Sequence, residues 1–269
     1  MQEDLKIIDL VVELLDARLP LSSRNPDIDE MARGKPRIIL LNKADLADPD
    51  VNRAWQDYFQ DRYGSCLLID SRKRNTFRNL PGLIREACKE KTERDRKRGI
   101  RNRPLKVMVA GIPNVGKSTF INSCAGRASA KTGNTPGVTR GKQWIKMDAT
   151  ILLLDTPGIL WAKIDDQESA RRLAVSGSVR DEVVNIEELA LFFTDYLKTA
   201  YPGIMERQYG LNEEEDSHEL LASLGRGRGC ILKGGEVDLL KASNILIDDY
   251  RRGRIGRISL EKPENEEGS

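Results

Sequence analysis

The chain has a single histidine, only four cysteines and no long uninterrupted apolar run in 269 residues. The lone His218 stands in Asp216-Ser217-His218-Glu219, an acidic helix start, where an exposed or capping role is expected and a catalytic one is not. Cys66, Cys88, Cys124 and Cys230 form no C-x-x-C pair and no metal-ligand spacing, which excludes a cysteine metal site. They read as buried or inert thiols of a reducing compartment. The apolar stretch from Ile7 to Leu15 is broken by Asp9 and Glu13, so no segment is suited to span a membrane. The first residues also lack the pattern of a secretory signal. The expectation is a cytoplasmic protein, monomeric and without a membrane partner. A surplus of one charge is missing too. The 44 basic and 42 acidic residues leave +2, so overall charge does not announce nucleic acid. No internal repeat is visible.

What is present is a surface charged in patches. Lys89 to Arg103 carries eight basic and three acidic residues. A second set, Arg226, Arg228, Lys233, Lys241, Arg251, Arg252, Arg254 and Arg257, lies near the C-terminus, before a mostly acidic tail from Glu261 to Glu267. Each run has an ordinary reading as a solvated face and a second one as a polyanion-binding patch. With 39% hydrophobic and 32% charged residues, the chain can bury one sizeable core and a second, smaller one.

Three short motifs carry the chemistry. Gly111-Ile112-Pro113-Asn114-Val115-Gly116-Lys117-Ser118 reads G-x-x-x-x-G-K-S, between the strand-like Leu105 to Ala110 and a helix start at Thr119. Asn42-Lys43-Ala44-Asp45 reads N-K-x-D after Arg37 to Leu41, and Asp155-Thr156-Pro157-Gly158 reads D-x-x-G after Ile151 to Leu154. Alone, either of the last two is ordinary turn chemistry. Together, each at the carboxyl end of an apolar strand, they describe a nucleotide pocket. Their order is unusual. N-K-x-D precedes the phosphate loop, whereas a GTPase ordinarily carries it last. Folding depends on which strands pair, not on where the chain is cut, so the reading is a circularly permuted P-loop GTPase domain of the α/β class.

The motifs assign roles. Backbone amides of Asn114, Val115, Gly116, Lys117 and Ser118, with Thr119 behind them at the helix start, form an anion site for the β-phosphate. Lys117 places its charge on the β- and γ-phosphates, and the Ser118 hydroxyl is expected to ligate Mg²⁺. Asp155 is expected to hold the same metal through water, and the Gly158 amide to touch the γ-phosphate. Asp45 can accept hydrogen bonds from the guanine N1–H and amino group, Asn42 can bond the other edge, and the Lys43 stem can lie over the base. Adenine lacks those two donors and would leave Asp45 unpaired, at roughly a thousandfold or more in discrimination. GTP is therefore expected over ATP. Asp70-Ser71, after the strand Cys66 to Ile69, is the expected second guanine loop, offering backbone amides to the base. A plain strand-end turn is the alternative. In the Gly-, Pro- and Thr-rich stretch from Thr132 to Thr139, Thr139 is the preferred Mg²⁺-sensing hydroxyl, with Thr135 as its competitor.

Periodicity gives strands at Val11 to Leu15, Ile38 to Leu41 and Cys66 to Ile69, and helices at Asp50 to Tyr63 and Leu80 to Cys88. The basic stretch 89 to 103 reads as the joint that permutation creates. Beyond Trp161 the pattern turns helical, at Ile186 to Leu197, Glu219 to Leu224 and Val237 to Asp249. The expected division is a GTPase domain over 1–165 and a small all-helical C-terminal domain over 166–269 with a disordered acidic tail.

Further motifs make a family likeness. Asp16-Ala17-Arg18-Leu19-Pro20, Ser22-Ser23-Arg24-Asn25-Pro26, Gly141-Lys142-Gln143-Trp144 and Asp155 to Trp161 join the nucleotide motifs. With them, nearly the whole chain resembles the bacterial ribosome biogenesis GTPase A family, circularly permuted GTPases of large-subunit assembly. The resemblance implies a C-terminal helical domain that binds ribosomal RNA, and low intrinsic GTP hydrolysis stimulated by the large ribosomal subunit. Asn114 matches the asparagine that helps coordinate K⁺ in potassium-dependent relatives, an ordinary loop residue being the alternative. After D-x-x-G, where Ras-like enzymes carry a water-orienting glutamine, this chain has Ile159. Similar proteins are thought to use an N-terminal histidine instead, and Met1-Gln2-Glu3-Asp4-Leu5 contains none. No catalytic base is assigned. The second functional reading is a non-hydrolysing GTP-sensing RNA-binding module.

Overall fold

A computed structural model describes residues 7–100, 103–125, 143–155, 166–179 and 181–263. Six strands form one sheet in the order β3-β2-β1-β4-β6-β5. They are β1 (Leu10–Asp16), β2 (Arg37–Asn42), β3 (Cys66–Leu68), β4 (Leu105–Ala110), β5 (Gln143–Lys146) and β6 (Ile151–Asp155). All neighbours run parallel except β5 and β6, which pair antiparallel at one edge. β1 lies between β2 and β4, and every one of its seven residues is buried. Five of the seven are apolar, and burial along its whole length is expected of a strand covered on both faces.

The pleat sorts the side chains. Val11 pairs with Arg37 and Met108, and Leu15 with Leu41, so Val11, Leu15, Ile39, Leu41 and Met108 share one face. Helix α1 (Asp27–Met31) contributes Ile28 to that face beside Val11 and Met108. Helix α2 (Pro49–Tyr63) contributes Val51, Trp55 and Phe59 beside Leu15, Ile39 and Leu41. Burying Trp55 and Phe59 contributes about 2–3 kcal/mol each. The sequence fixes both ends of α2. Asp48 caps it by accepting from the Asp50 and Val51 amides, Pro49 occupies the first turn, and Gly64 ends it in the left-handed region at φ 74°.

Helices α3 (Leu80–Ala87) and α4 (Lys89–Lys97) precede β4, and α5 (Lys117–Ala125) follows it. Phe120 of α5 packs on Phe77 with the rings tilted and their centroids 5.1 Å apart. The basic stretch read as a joint is thus largely a helix, and α4 buries none of its residues.

The chain divides into two units, residues 1–164 with 259–269, and residues 165–258. The second holds helices α6 (Gln167–Ser176), α7 (Ile186–Ala200), α8 (Ile204–Tyr209), α9 (Ser217–Gly227) and α10 (Leu239–Arg251). Four of the five start at an Asp or Asn whose side chain accepts from the first-turn amides: Asp166, Asn185, Asp216 and Asp238. Phe193 and Tyr250 meet at 4.8 Å in its core. The sequence-based boundary changes at one end. Residues from Ser259 onward belong with the first unit, not with the helical one. Buried Leu260 donates its amide to the Arg18 carbonyl at 2.6 Å, and the Glu261 carboxylate accepts from the Ser22 amide at 3.0 Å.

Candidate nucleotide-binding site

The loops that carry the motifs leave the carboxyl ends of β2, β3, β4 and β6, where open parallel sheets bind ligands. The phosphate loop turns between β4 and α5. A Cβ on Gly111 would lie 2.7 Å from the Leu14 carbonyl oxygen, so only glycine lets the loop pass the end of β1. Asn114 takes a left-handed φ of 59° and Gly116 a φ of 101°, which turns the chain into the first turn of α5. Lys117 opens the helix, and a helix N-terminus is an environment that favours an anion.

Lys117 Nζ lies 3.6 Å from Asp155 Oδ1, and both side chains are buried. Burial lowers the Lys117 ammonium and raises the Asp155 carboxyl, and their mutual attraction opposes both shifts. Asp155 Oδ1 is buried without a hydrogen-bond partner among the described residues. A buried carboxylate oxygen of this kind at a strand end fits a hard cation. Ser118 and Thr119 are half-buried on the first turn of α5. Thr139, its competitor Thr135, Gly158 and Ile159 lie outside the described residues, as do Met1 to Lys6.

Asn42 joins the loops. Its Nδ2 donates to the Val115 carbonyl at 2.6 Å, and its Oδ1 accepts from the Ser71 amide at 2.9 Å. Both ends of this amide are therefore engaged inside the protein, a bracing role beyond the base contact expected from sequence. Ser123 of α5 adds a bond from its hydroxyl to the Ser71 carbonyl at 2.6 Å. Ala44 donates its amide to the Ile69 carbonyl at 3.1 Å, which ties N-K-x-D to the end of β3.

The amides of Asp70 and Ser71, which the sequence places towards the base, are engaged inside the protein. The Ser71 amide instead goes to Asn42, and the Asp70 amide donates to Thr76 Oγ1 at 3.1 Å. These residues shape the loop, and the next one reaches the N-K-x-D loop. Arg72 Nη2 donates to Asp45 Oδ2 at 2.6 Å, while its Nε and Nη2 hold both Asp70 oxygens at 2.8 and 3.0 Å. Hydrogen bonds from Arg72 hold the Asp70 carboxyl down at about 2. Asp45 Oδ1 is buried and lacks a hydrogen-bond partner among the described residues. Sequence reasoning gave Arg72 no role. It also gave no role to Asp16, whose Oδ2 accepts from Lys43 Nζ at 2.8 Å.

The other expectations bear on exclusions. His218 is exposed in the first turn of α9 behind the Asp216 cap. All four thiols are buried, and burial pushes Cys66 and Cys124 up to about 12 and Cys88 to about 11. Among the described residues no helix is long and apolar enough to cross a membrane.

A phosphate loop stitched to N-K-x-D on a parallel sheet is the framework of a P-loop GTPase. Comparison with known proteins agrees. The family model for a 50S ribosome-binding GTPase matches residues 106–223. The Ribosome biogenesis GTPase A of Bacillus cereus is 42% identical over 263 residues, covering 97% of this chain and 89% of its own. Two solved structures superpose over 98% of this chain. One is a GDP-bound YlqF at 27% identity and TM-score 0.69, covering 99% of that chain. The other is the GNP-bound YlqF of T. maritima at 26% and 0.68, covering 97% of that chain. This chain belongs to the ribosome biogenesis GTPase A family.

Proposed function

We propose that the protein is a circularly permuted GTPase that hydrolyses GTP to GDP and phosphate as an assembly factor of the large ribosomal subunit in the cytoplasm. The observation that carries the reading is the Asn42 bridge. N-K-x-D comes first in the chain, yet its asparagine bonds the phosphate loop and the Asp70-Ser71 loop directly. In this reading Asp45 accepts from the guanine edge, the Lys43 stem covers the base, and the α5 amides with Lys117 hold the phosphates. Ser118 and Asp155 would hold Mg²⁺, with Thr139 as the sensing hydroxyl, and the resemblance adds Asn114 as a K⁺ ligand. When bound, these cations neutralise charge that develops on the transferring phosphoryl group. The Gly158 amide would report the γ-phosphate.

The second unit, read as a small helical domain, would bind ribosomal RNA in a GTP-dependent way, with the protein acting as a monomer. Its basic residues temper the area available. Arg226, Arg228, Arg251, Arg252 and Arg254 each pair with a carboxylate of the same unit. Exposed Lys233 and Lys241 have no ion pair among the described residues. The family resemblance adds a low intrinsic rate that the large subunit raises, with catalysis resting on positioning and charge neutralisation. The test is GTP turnover in K⁺ and in Na⁺, with and without large subunits. Stimulation by subunits supports the assembly-factor reading. Subunit or RNA binding with no phosphate release in any arm would instead leave a non-hydrolysing GTP-sensing RNA-binding module.

A further inference from the structure

Asp16 ends β1 in the D-A-R-x-P segment, and its side chain is fully buried. Oδ1 accepts from the Arg18 amide at 3.1 Å and from Arg18 Nε at 2.9 Å. Oδ2 accepts from Arg18 Nη2 and from Lys43 Nζ, both at 2.8 Å. The adjoining Ala17 amide donates to the Asn42 carbonyl at 2.7 Å. One short turn therefore holds the N-K-x-D loop by its main chain at Asn42 and by its side chain at Lys43. Lys43 has a left-handed φ of 61°, a backbone state that a non-glycine residue keeps only when its surroundings enforce it.

Arg18 is fixed in turn. It is buried, and the Leu260 amide donates to its carbonyl at 2.6 Å. Ser259 Oγ accepts from the Asp48 amide at 3.1 Å, and the Glu261 carbonyl accepts from Trp55 Nε1 at 3.1 Å. A lysine stem has four rotatable bonds, and freezing them at the moment of binding weakens a complex. Anchoring Nζ on a buried carboxylate freezes them beforehand.

We propose that Asp16 is a positioning residue for base recognition: it holds the Lys43 stem where the base will lie, and Arg18 with the returning segment Ser259–Glu261 holds Asp16. The inference rests on reading Asn42 to Asp45 as the guanine loop. It gives D-A-R-x-P a part in nucleotide affinity through the N-K-x-D loop that it holds.

The test is a double-mutant cycle on fluorescent GDP and GTP affinity with Asp16→Asn, Lys43→Met and the pair. Each single change should weaken both nucleotides about tenfold, and the pair should be no weaker than either single within about twofold. Additive losses, or a loss seen with GTP and not GDP, would overturn the proposal, because a merely structural Asp16 has no reason to act through Lys43. If thermal melts show that Asp16→Asn does not fold, Glu261→Ala takes its place. Its loss of affinity, about threefold, should vanish in the Lys43→Met background. The same loss in both backgrounds overturns the proposal. Asp45→Asn serves as the separate control. Without a shift towards xanthine nucleotides, it is the guanine-loop reading that fails.

Discussion

Asn42 Nδ2 donates to the Val115 carbonyl at 2.6 Å across 73 residues of sequence. Oδ1 of the same side chain takes the Ser71 amide, so one amide group closes three loops on each other. Because the bond is made through space, the order of the loops along the chain does not matter to the pocket. What matters is the parallel register that brings the ends of β2 and β4 to either side of β1.

Asn42→Ala removes the partners of two buried backbone groups, and each buried group left unsatisfied costs about 1–3 kcal/mol. The melting temperature should fall, and GTP and GDP affinity should fall together by at least about tenfold. Calorimetry and nucleotide titration check this. Unchanged melting with unchanged affinity would show that Asn42 does not brace the loops.

Gly116→Ala should be harsher on binding than on folding. A Cβ there would sit 2.3 Å from Asn42 Nδ2, and the φ of 101° is one that alanine rarely adopts. The loop must shift to relieve the clash, which misplaces its amides. We expect GTP binding weakened by about a hundredfold or more, with the sheet retained by circular dichroism. Binding within a few-fold of the parent would mean that the loop tolerates a different path.

Asp45→Asn should move preference from guanine towards xanthine nucleotides. The carboxylate oxygen that is buried without a hydrogen-bond partner among the described residues becomes half of an amide, which can donate where guanine also donates. Competition between GTP and XTP for the same site reads this directly. Equal GTP affinity in variant and parent would remove Asp45 from the base contact.

Much of this was legible in the sequence, because strands and capped helices are local. β1 and β2 each extend one residue beyond both ends of the runs Val11 to Leu15 and Ile38 to Leu41, and α2 begins one residue before Asp50. Helix α4 was not legible, since its charged sequence has no apolar stripe and buries nothing. The edge strand β5 is only four residues long and read as a family signature rather than as a strand. The return of Ser259 to Glu261 was hidden by the acidic tail that follows it. The roles of Asp16 and Arg72 depend on charge pairs between different loops, Asp16 with Lys43 and Arg72 with Asp45, which no local pattern encodes.

Acid should loosen the first unit in a narrow window. Arg72 holds Asp70 at about 2, against an ordinary value of 3.8. Burial alone would raise Asp16, but Arg18 and Lys43 outweigh it and hold that carboxyl far below the usual range. Both shifts are downward, so the unfolded chain binds more protons than the native one as pH drops below 3.8. The stability they contribute is full above 3.8 and lost as pH falls through about 2 for Asp70, and lower still for Asp16. Urea midpoints should therefore fall across this range, and less steeply in Arg72→Ala, where Asp70 loses its partner. Identical slopes for parent and variant would argue against the pairing.

Charge reversal at Lys233 and Lys241 separates a binding surface from a structural network in the second unit. Both lysines are exposed, near the loop closed by the Ile231–Val237 bridge, and neither has an ion pair among the described residues. The nearby arginines are engaged: Arg254 Nη1 reaches Asp249 Oδ1 at 2.9 Å, and Arg251 reaches Asp181 at 2.7 Å. If the unit binds ribosomal RNA, Lys233→Glu with Lys241→Glu should weaken binding to large subunits while leaving the melting temperature within about 1 °C. Each phosphate contact contributes close to one unit to the slope of log affinity against log salt, so the pair should flatten that slope by about 2. Arg251→Ala should do the opposite, lowering the melting temperature by breaking the Asp181 pair and the bonds to the Ala174 and Val175 carbonyls. Co-sedimentation with large subunits across a salt series, with a non-hydrolysable GTP analogue and with GDP, reads both effects. An unchanged salt slope in the double lysine variant would place the RNA contact elsewhere, and equal sedimentation in the two nucleotide states would remove its dependence on GTP.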